Sequence, residues 1–202
     1  MSQIEKNTEA EILEAAKKVF IEKGMAGARM QEIADEAGIN KSLLHYYYRS
    51  KDKLFLAVFR FAVLQFFPGI QEMLTSNIPL EEKIRRFVDR YIDILLENPF
   101  VPMFILQEIQ RDPERLFDAF LEVGMRPDQI IQQFREASEK GEIKDIDPKD
   151  ILVNTLALCL FPFAAQPLMQ RLFCENDEQV YKKWLENRKE TIPEFILNAV
   201  KK

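Results

Sequence analysis

The sequence has little glycine, histidine or cysteine: 6 Gly, one His and two Cys among 202 residues. With so few glycines, and with no stretch that alternates apolar and polar residues, the chain is not expected to build a β-sheet. Cys159 and Cys174 are too few for a disulfide framework, and no histidine lies near them to complete a metal site. The amino terminus is charged throughout and lacks the apolar core of a signal peptide. We expect a cytoplasmic, all-α chain without metal or cofactor.

One charge-free stretch, residues 151–170, has about the length that a bilayer span needs. It also contains polar residues and prolines, namely Asn154, Thr155, Pro162, Gln166, Pro167 and Gln170. We interpret it as a helix buried in a soluble bundle, and we expect no membrane contact.

The net charge is −5, but it is unevenly distributed. Residues 1–53 hold nine basic and nine acidic residues, so the whole excess of negative charge lies in the remainder. Residues 38–53 contain Lys41, Arg49, Lys51 and Lys53 against Asp52 alone. The pattern predicts a short basic patch on an acidic body, which is compatible with nucleic-acid binding.

Periodic apolar residues and capping signals predict about nine helices. A capping-box pair, Thr8 and Glu11, predicts the start of the first helix, and Gly24 its end. Asn40 and Ser50 are placed to cap the third and fourth helices, whose first residues are 41 and 51. Farther along, the starts are predicted at Pro79, Asp112-Pro113 and Asp147-Pro148.

Residues 29–48 follow the physical logic of a helix-turn-helix. Ala34 is small enough for two helices to approach closely, and Gly38 can adopt the positive φ of a tight turn. Ile39 and Leu44 return to the core. The outer side of the third helix then carries Lys41, Ser42, Leu43, His45, Tyr46 and Tyr47.

Three stretches, AGINK at 37–41, LHYYY at 44–48 and SKDKLF at 50–55, resemble the tetracycline-repressor (TetR) family of bacterial regulators. The resemblance is specific over about residues 8–60 and loose beyond them. It implies a three-helix DNA-binding head, residues 6–66, on a ligand-binding and dimerisation body, residues 67–202. It implies a transcriptional repressor that leaves its double-stranded operator when a small hydrophobic or aromatic effector binds. No enzymatic activity is expected.

The resemblance implies that residues 41–47 enter the major groove. Lys41, Lys51 and Arg29 would attract phosphates, whereas Ser42, Leu43, Tyr46 and Tyr47 are the candidates for base edges. Two positions depart from the family, which commonly has Thr at Arg29 and Tyr at His45. Together with the cap Asn40, the predicted DNA-binding set is Arg29, Asn40, Lys41, Ser42, Leu43, His45, Tyr46, Tyr47 and Lys51.

The body is rich in aromatic residues, most of which are expected to be core. Collectively they suit an apolar pocket with a few polar anchors. The predicted pocket residues are Phe66, Phe67, Phe87, Tyr91, Phe104, Gln107, Glu108, Phe134, Asn154 and Phe161.

Residues 151–173 and 177–200 resemble the paired helices of the family's homodimer, which would form a four-helix interface. Two heads could then read half-sites about 34–36 Å apart, or a multiple of that. Two alternatives stay open: a regulator that senses oxidation through its thiols, and a helical interaction protein that does not bind DNA.

Overall fold

The computed structural model describes residues 3–61, 76, 78–99, 101–122 and 124–202; the side chains of residues 3–6, 104, 108 and 115 are outside this description. Throughout these ranges the regular structure is helical, with eleven helices and no strand. The predicted all-α fold class is confirmed. The predicted boundary between head and body, at residue 66, lies outside the described residues.

Four helices form the amino-terminal head. These are α1 (Gln3–Gly27), α2 (Met30–Glu36), α3 (Lys41–Tyr47) and α4, which begins at residue 51 and is described to residue 61. One apolar side of α1 carries Ile12, Ala16 and Phe20, all fully buried, and it packs against α2. The rings of Phe20 and Phe55 meet edge to face at 4.6 Å, which ties α1 to α4.

The start of α1 differs from the prediction. The helix begins at Gln3, so Thr8 lies inside it and not at its cap. The residues before Thr8 are good helix formers, and the Asn7 amide donates to Glu11 Oε1 at 3.0 Å one turn later. At the other end Gly24, with φ 65°, interrupts the helix as predicted, although a last short turn continues to Gly27.

Seven helices form the body: α5 (Leu80–Glu97), α6 (Val101–Arg111), α7 (Pro113–Glu122), α8 (Pro127–Glu139), α9 (Pro148–Ala164), α10 (Gln166–Phe173) and α11 (Glu178–Val200). Helix α5 is central, because it packs against α8, α9 and α11. Its buried stripe consists of Ile84, Val88, Ile92 and Leu95. Lys189 of α11 forms ion pairs with Asp89 and Asp93, one turn apart on α5.

The prediction of one continuous helix over residues 151–173 is wrong. The chain breaks at Ala165, and α10 leaves α9 at a bend of 80°. Pro162 has no N–H, so the carbonyl of Leu158 lacks its usual helical donor. The guanidinium of Arg188, on α11, donates to that carbonyl at 2.9 Å. The Tyr181 hydroxyl donates to the carbonyl of Pro162 at 2.7 Å. Helix α11 therefore supplies the donors that the break requires.

No single helix in the described part of the chain is both long and apolar enough to cross a membrane. Helices α9 and α10 would pass such a test only as a pair, across the 80° bend.

Candidate nucleic-acid interface

The turn between α2 and α3 has the geometry that the sequence predicts. Gly38 has φ 66°, in the left-handed region that favours glycine. The N–H of Ile39 donates to the carbonyl of Ala34 at 3.0 Å, and Ala34 is fully buried between the helices. The side chain of Asn40 accepts from the N–H of Leu43 at 2.8 Å and so caps α3. These local bonds fix the angle at which α3 leaves α2.

Helix α3 presents most of its surface to solvent. Leu44 is its one buried residue, at 0% exposure, and anchors it to the head. The side chain of Tyr46 is 77% exposed and contacts the ring of Tyr47 edge to face at 5.6 Å. The remaining predicted contacts divide into exposed residues (Lys41, Ser42 and His45) and half-buried ones (Leu43 and Tyr47). A helix with one side exposed in this way can enter the major groove of B-DNA.

Tyr48 is buried directly after α3. Its hydroxyl donates to Glu9 Oε1 of α1 at 2.9 Å. Burial, followed by the hydrogen bond to the Glu9 carboxylate, raises the pKa of Tyr48 well above its ordinary value. The bond links the end of α3 to α1.

Arg29 is exposed at the start of α2 and does not cap that helix with its side chain. A guanidinium has only donors, so it cannot accept from the free N–H groups of a helix start. Glu32, the third residue of α2, makes the other hydrogen bond of a capping box: its carboxylate accepts from the N–H of Arg29 at 3.1 Å. Lys23 also donates to Glu32, and that hydrogen bond is the main reason why the pKa of Glu32 is lowered. The Arg29 side chain therefore projects outward.

Lys51 has a structural contact that the sequence did not reveal. Its ammonium donates to the carbonyl of Ala28 at 3.0 Å and to that of Ala26 at 3.4 Å. The carbonyl of Ala28 belongs to the link between α1 and α2, and that of Ala26 to the last turn of α1. An ammonium has three donors, so one remains for a phosphate.

The basic patch is more positive than its sequence suggests. Asp52 is the only acidic residue within residues 38–53, and it forms an ion pair with Arg111 of α6 at 3.0 Å. The partner comes from a distant part of the chain, so spacing alone could not identify it. With Asp52 paired, the exposed side chains of Lys41, Arg49 and Lys53 face no competing acid from within residues 38–53.

The structure separates the predicted pocket residues. Phe87 and Tyr91 lie one turn apart on α5 with ring centroids at 5.5 Å, and Phe134 is buried on α8. Burial raises the pKa of Tyr91. Gln107, Asn154 and Phe161 are exposed. Phe66 and Phe67 and the side chains of Phe104 and Glu108 lie outside the described residues.

A cleft of about 890 Å³ lies between α5 and α8, but none of the predicted pocket residues lines it. Six of its seven lining residues have polar or charged side chains, namely Lys83, Asp128, Gln129, Gln132, Gln133 and Arg135, and the seventh is Ile131. The apolar pocket stays a prediction.

The two cysteines are free and buried. Burial raises the pKa of the Cys159 thiol to about 12. A thiol with such a pKa is protonated at neutral pH and reacts slowly. Among the described residues no cluster of three or more His, Cys, Asp or Glu side chains could hold a metal ion.

Comparison with known proteins gives a consistent result for the head. Residues 12–58 match the family model of bacterial regulatory proteins, tetR family. The HTH-type transcriptional repressor SCO4008 of Streptomyces coelicolor is 28% identical over 166 residues, 82% of each chain. The regulator RutR of Escherichia coli is 45% identical over 142 residues, 70% of this chain and 66% of RutR.

Other similarities are partial or structural. The transcriptional activator FasR of Mycolicibacterium smegmatis is 33% identical over 85 residues, and the match spans 42% of this chain and only 39% of FasR. The crystal structure of a TetR/AcrR regulator from Thermobifida fusca has TM-score 0.70 at 18% identity, covering 95% and 97% of the two chains. That of FadR from Bacillus subtilis, in complex with stearoyl-CoA, has TM-score 0.69 at 16% identity, covering 93% and 96%. At these identities the structures show the shared fold.

Proposed function

Because the chain belongs to the TetR family of bacterial regulatory proteins, we propose that it acts in the cytoplasm as a homodimeric repressor released from operator DNA by a small hydrophobic ligand. The observation that carries the proposal is helix α3, which packs on the head through Leu44 and the half-buried Tyr47 and exposes its opposite side, with Tyr46 at 77%. Repression is proposed by analogy with SCO4008, although FasR is named an activator.

The side chains around α3 fall into two groups, those assigned to phosphates and those assigned to base edges. Phosphate contacts are assigned to Lys41, Arg29 and the third donor of Lys51. Such contacts hold the head in register on the duplex without recognising sequence. Tyr46 is the most exposed aromatic residue of α3 and is assigned, with Ser42, to base edges. Leu43 is only half-buried, so its methyl groups can contact a thymine methyl.

The homodimer is assigned to residues 151–173 and 177–200, which hold the short α10 and nearly all of the two long helices α9 and α11. Both helices carry large apolar side chains that are about half exposed: Val153 62%, Leu156 42%, Phe161 58%, Val180 51% and Phe195 65%. Apolar surface of this extent marks an interaction site in a soluble protein. Two copies would form a four-helix interface about a two-fold axis, which sets the spacing of the two heads.

The effector site is assigned to the aromatic pair Phe87 and Tyr91 of α5 with the buried Phe134 of α8. FadR, which has this fold, was crystallised in complex with stearoyl-CoA, a ligand with a long apolar acyl chain. The exposed Asn154 and Phe161 fit the dimer surface better than this site.

Head and body are joined by two ion pairs on α4. Arg111 of α6 contacts Asp52 at 3.0 Å, and Arg60 contacts Glu122 of α7 at 3.1 Å. A ligand that favours another conformation of the body would move α6 and α7. Through the two ion pairs this movement would reach α4, the helix that follows α3. The population that can bind DNA then falls.

The test begins with selection of bound fragments from the source genome, followed by mobility shifts of the selected operator across a range of salt concentrations. We expect a dimer on each operator and an affinity that falls with salt. Tyr46→Ala should change base preference among operator variants, whereas Lys140→Ala, in the body, should leave it unchanged. A protein that stays monomeric and ignores duplexes even at low ionic strength contradicts the proposal.

Reciprocity gives a second test once an effector is found. A ligand that lowers operator affinity must itself bind more weakly to the DNA-bound protein, by the same factor. Calorimetry with and without operator measures both affinities. Equal ligand affinity in the two states would refute the release mechanism while leaving DNA binding intact.

A further inference from the structure

Tyr48 bonds to two helices of the head at once. Its N–H donates to the carbonyl of Leu44 at 2.8 Å and so closes the last turn of α3. Its side chain is buried in the core of the head, with 8% exposure. Its hydroxyl donates to Glu9 Oε1 of α1 at 2.9 Å, across 39 residues of sequence. One residue therefore joins the end of α3 to α1.

Helix α3 is too short to hold its own direction. It has seven residues, and isolated helices shorter than about 12–15 residues are marginal in water. Its start is fixed by the cap from Asn40 and by the bond from Ile39 to Ala34. At its far end the chain becomes extended, with φ −133° and ψ 99° at Tyr48. The bond to Glu9 adds a directional attachment at this end to the packing of α3 on the head.

The position of this end matters because an exposed aromatic side chain lies close to it. Tyr46, which is 77% exposed and is assigned to base edges, lies two residues before Tyr48. A helix of seven residues is about 10 Å long, so a shift of about 1 Å at one end tilts it by roughly 6°. Binding groups must be held within about 0.5 Å of their working geometry. A tilt of this size would displace Tyr46 by more than that tolerance.

The bond between Glu9 and Tyr48 lies apart from the contacts that hold α1 in the head. Ile12 and Phe20 of α1 are fully buried, and Phe20 packs edge to face on Phe55 of α4. Glu9 is half-buried and precedes the first of these residues by three positions. Removal of the bond should therefore leave the head folded while the end of α3 becomes less restrained.

We propose that Glu9 is a positioning residue for sequence recognition, because its bond to the Tyr48 hydroxyl sets the direction in which α3 presents Tyr46 to base edges. The inference rests on the role proposed above for α3 in the major groove. A carboxylate repels phosphates, so Glu9 does not qualify as a DNA contact itself. It lies about twenty residues before the helix-turn-helix and is absent from the DNA-binding set that the sequence predicts.

Fluorescence anisotropy of the full chain tests the proposal, with the selected operator and a scrambled duplex of the same length and composition. We expect Glu9→Ala to weaken operator binding about tenfold, within the range expected for loss of one base contact. Glu11→Ala is the matched control, because Glu11 is exposed on the same helix and its carboxylate accepts from Asn7 within α1. Relative to this control, Glu9→Ala should change neither the affinity for the scrambled duplex nor the salt slope.

Two further variants separate the bond from the charge. Tyr48→Phe removes the donor and should reproduce the loss of operator affinity. The double substitution of Glu9→Ala and Tyr48→Phe should add little to either single loss, since both remove the same bond. Glu9→Gln keeps an acceptor oxygen at the same chain length and should retain most of the preference for operator. Urea denaturation shows whether each variant is folded under the conditions of the binding assay.

A purely structural role for Glu9 would lower the free energy of unfolding but leave the ratio of the two affinities as in the wild type. That ratio, unchanged in folded Glu9→Ala and Tyr48→Phe, would overturn the proposal. An equal loss in Glu9→Gln would also overturn it, because the effect would then belong to the charge. A wild-type protein without preference for the selected operator would instead contradict the role of α3, on which the inference rests.

Discussion

Substitution of Lys51 tests the DNA-binding assignment directly. Two donors of its ammonium bond to backbone carbonyls, and the third is proposed to contact a phosphate. The ammonium donates at 3.0 Å to the carbonyl of Ala28 and at 3.4 Å to that of Ala26. We expect Lys51→Ala to remove one phosphate contact per head. The slope of log K against log salt concentration then becomes about 0.9 less negative per contact. If the variant and the wild type bind equally well at 1 M salt, the variant binds roughly fivefold more weakly per contact at about 0.15 M salt. The loss should be the same for specific and unrelated sequences, since phosphates carry no sequence information.

The two carbonyl bonds add a second effect. Losing them should lower the free energy of unfolding by about 1 kcal/mol, because the site is half exposed and water replaces part of the bond. Fluorescence anisotropy against salt measures the slope, and urea denaturation measures stability. Lys51→Arg should keep the slope, and Lys140→Ala, which makes the same charge change in the body, should not alter it. An unchanged slope in a folded Lys51→Ala variant would refute the phosphate assignment.

Three further predictions concern the body. Arg188→Ala leaves the carbonyl of Leu158 without its donor and removes a cation–π contact with Trp184, and should cost about 2 kcal/mol in urea denaturation at fixed protein concentration. In a Pro162→Ala background, where residue 162 regains its N–H, the cost should fall to less than half; an equal cost would contradict the orphan-carbonyl explanation. The pKa of Cys159 rises from 9.0 to about 12 on folding, so stability should fall as pH rises from 9 toward 12, and less so in Cys159→Ser. The same pH dependence in both proteins would argue against it. A double-mutant cycle on Arg111→Ala and Asp52→Ala should give a coupling free energy of about 0.2–1 kcal/mol in stability. The effects of the two substitutions on operator affinity should also be non-additive. Full additivity in both measurements would exclude a link between head and body through this pair.

The head was predictable because its signals are local. Gly38, Asn40 and Ser50 act within four residues of the groups they bond, and the structure shows each in its predicted role. Two local signals failed for reasons that are also physical. The cap at Thr8 was overridden by helix formers before it, and the break at Ala165 was missed although Pro162 and Pro167 lie five residues apart.

Contacts between distant segments could not be read from spacing. The bond from Lys51 to the α1–α2 link and the pair between Asp52 and Arg111 depend on how helices pack in three dimensions. The pocket shows the same limit. Aromatic residues such as Phe134 and Phe161 look alike in sequence, yet one is buried on α8 and the other is exposed on α9.

Because α3 packs on the head through the buried Leu44 and, in part, through Tyr47, the opposite side of that helix is largely uncoupled from folding. Substitutions at Ser42, His45 or Tyr46 change an outward surface, and exposed positions usually alter stability by less than about 0.5 kcal/mol. Mutation can therefore explore new operator sequences here at almost no risk to the fold. The same freedom makes α3 a practical site for retargeting this regulator by design.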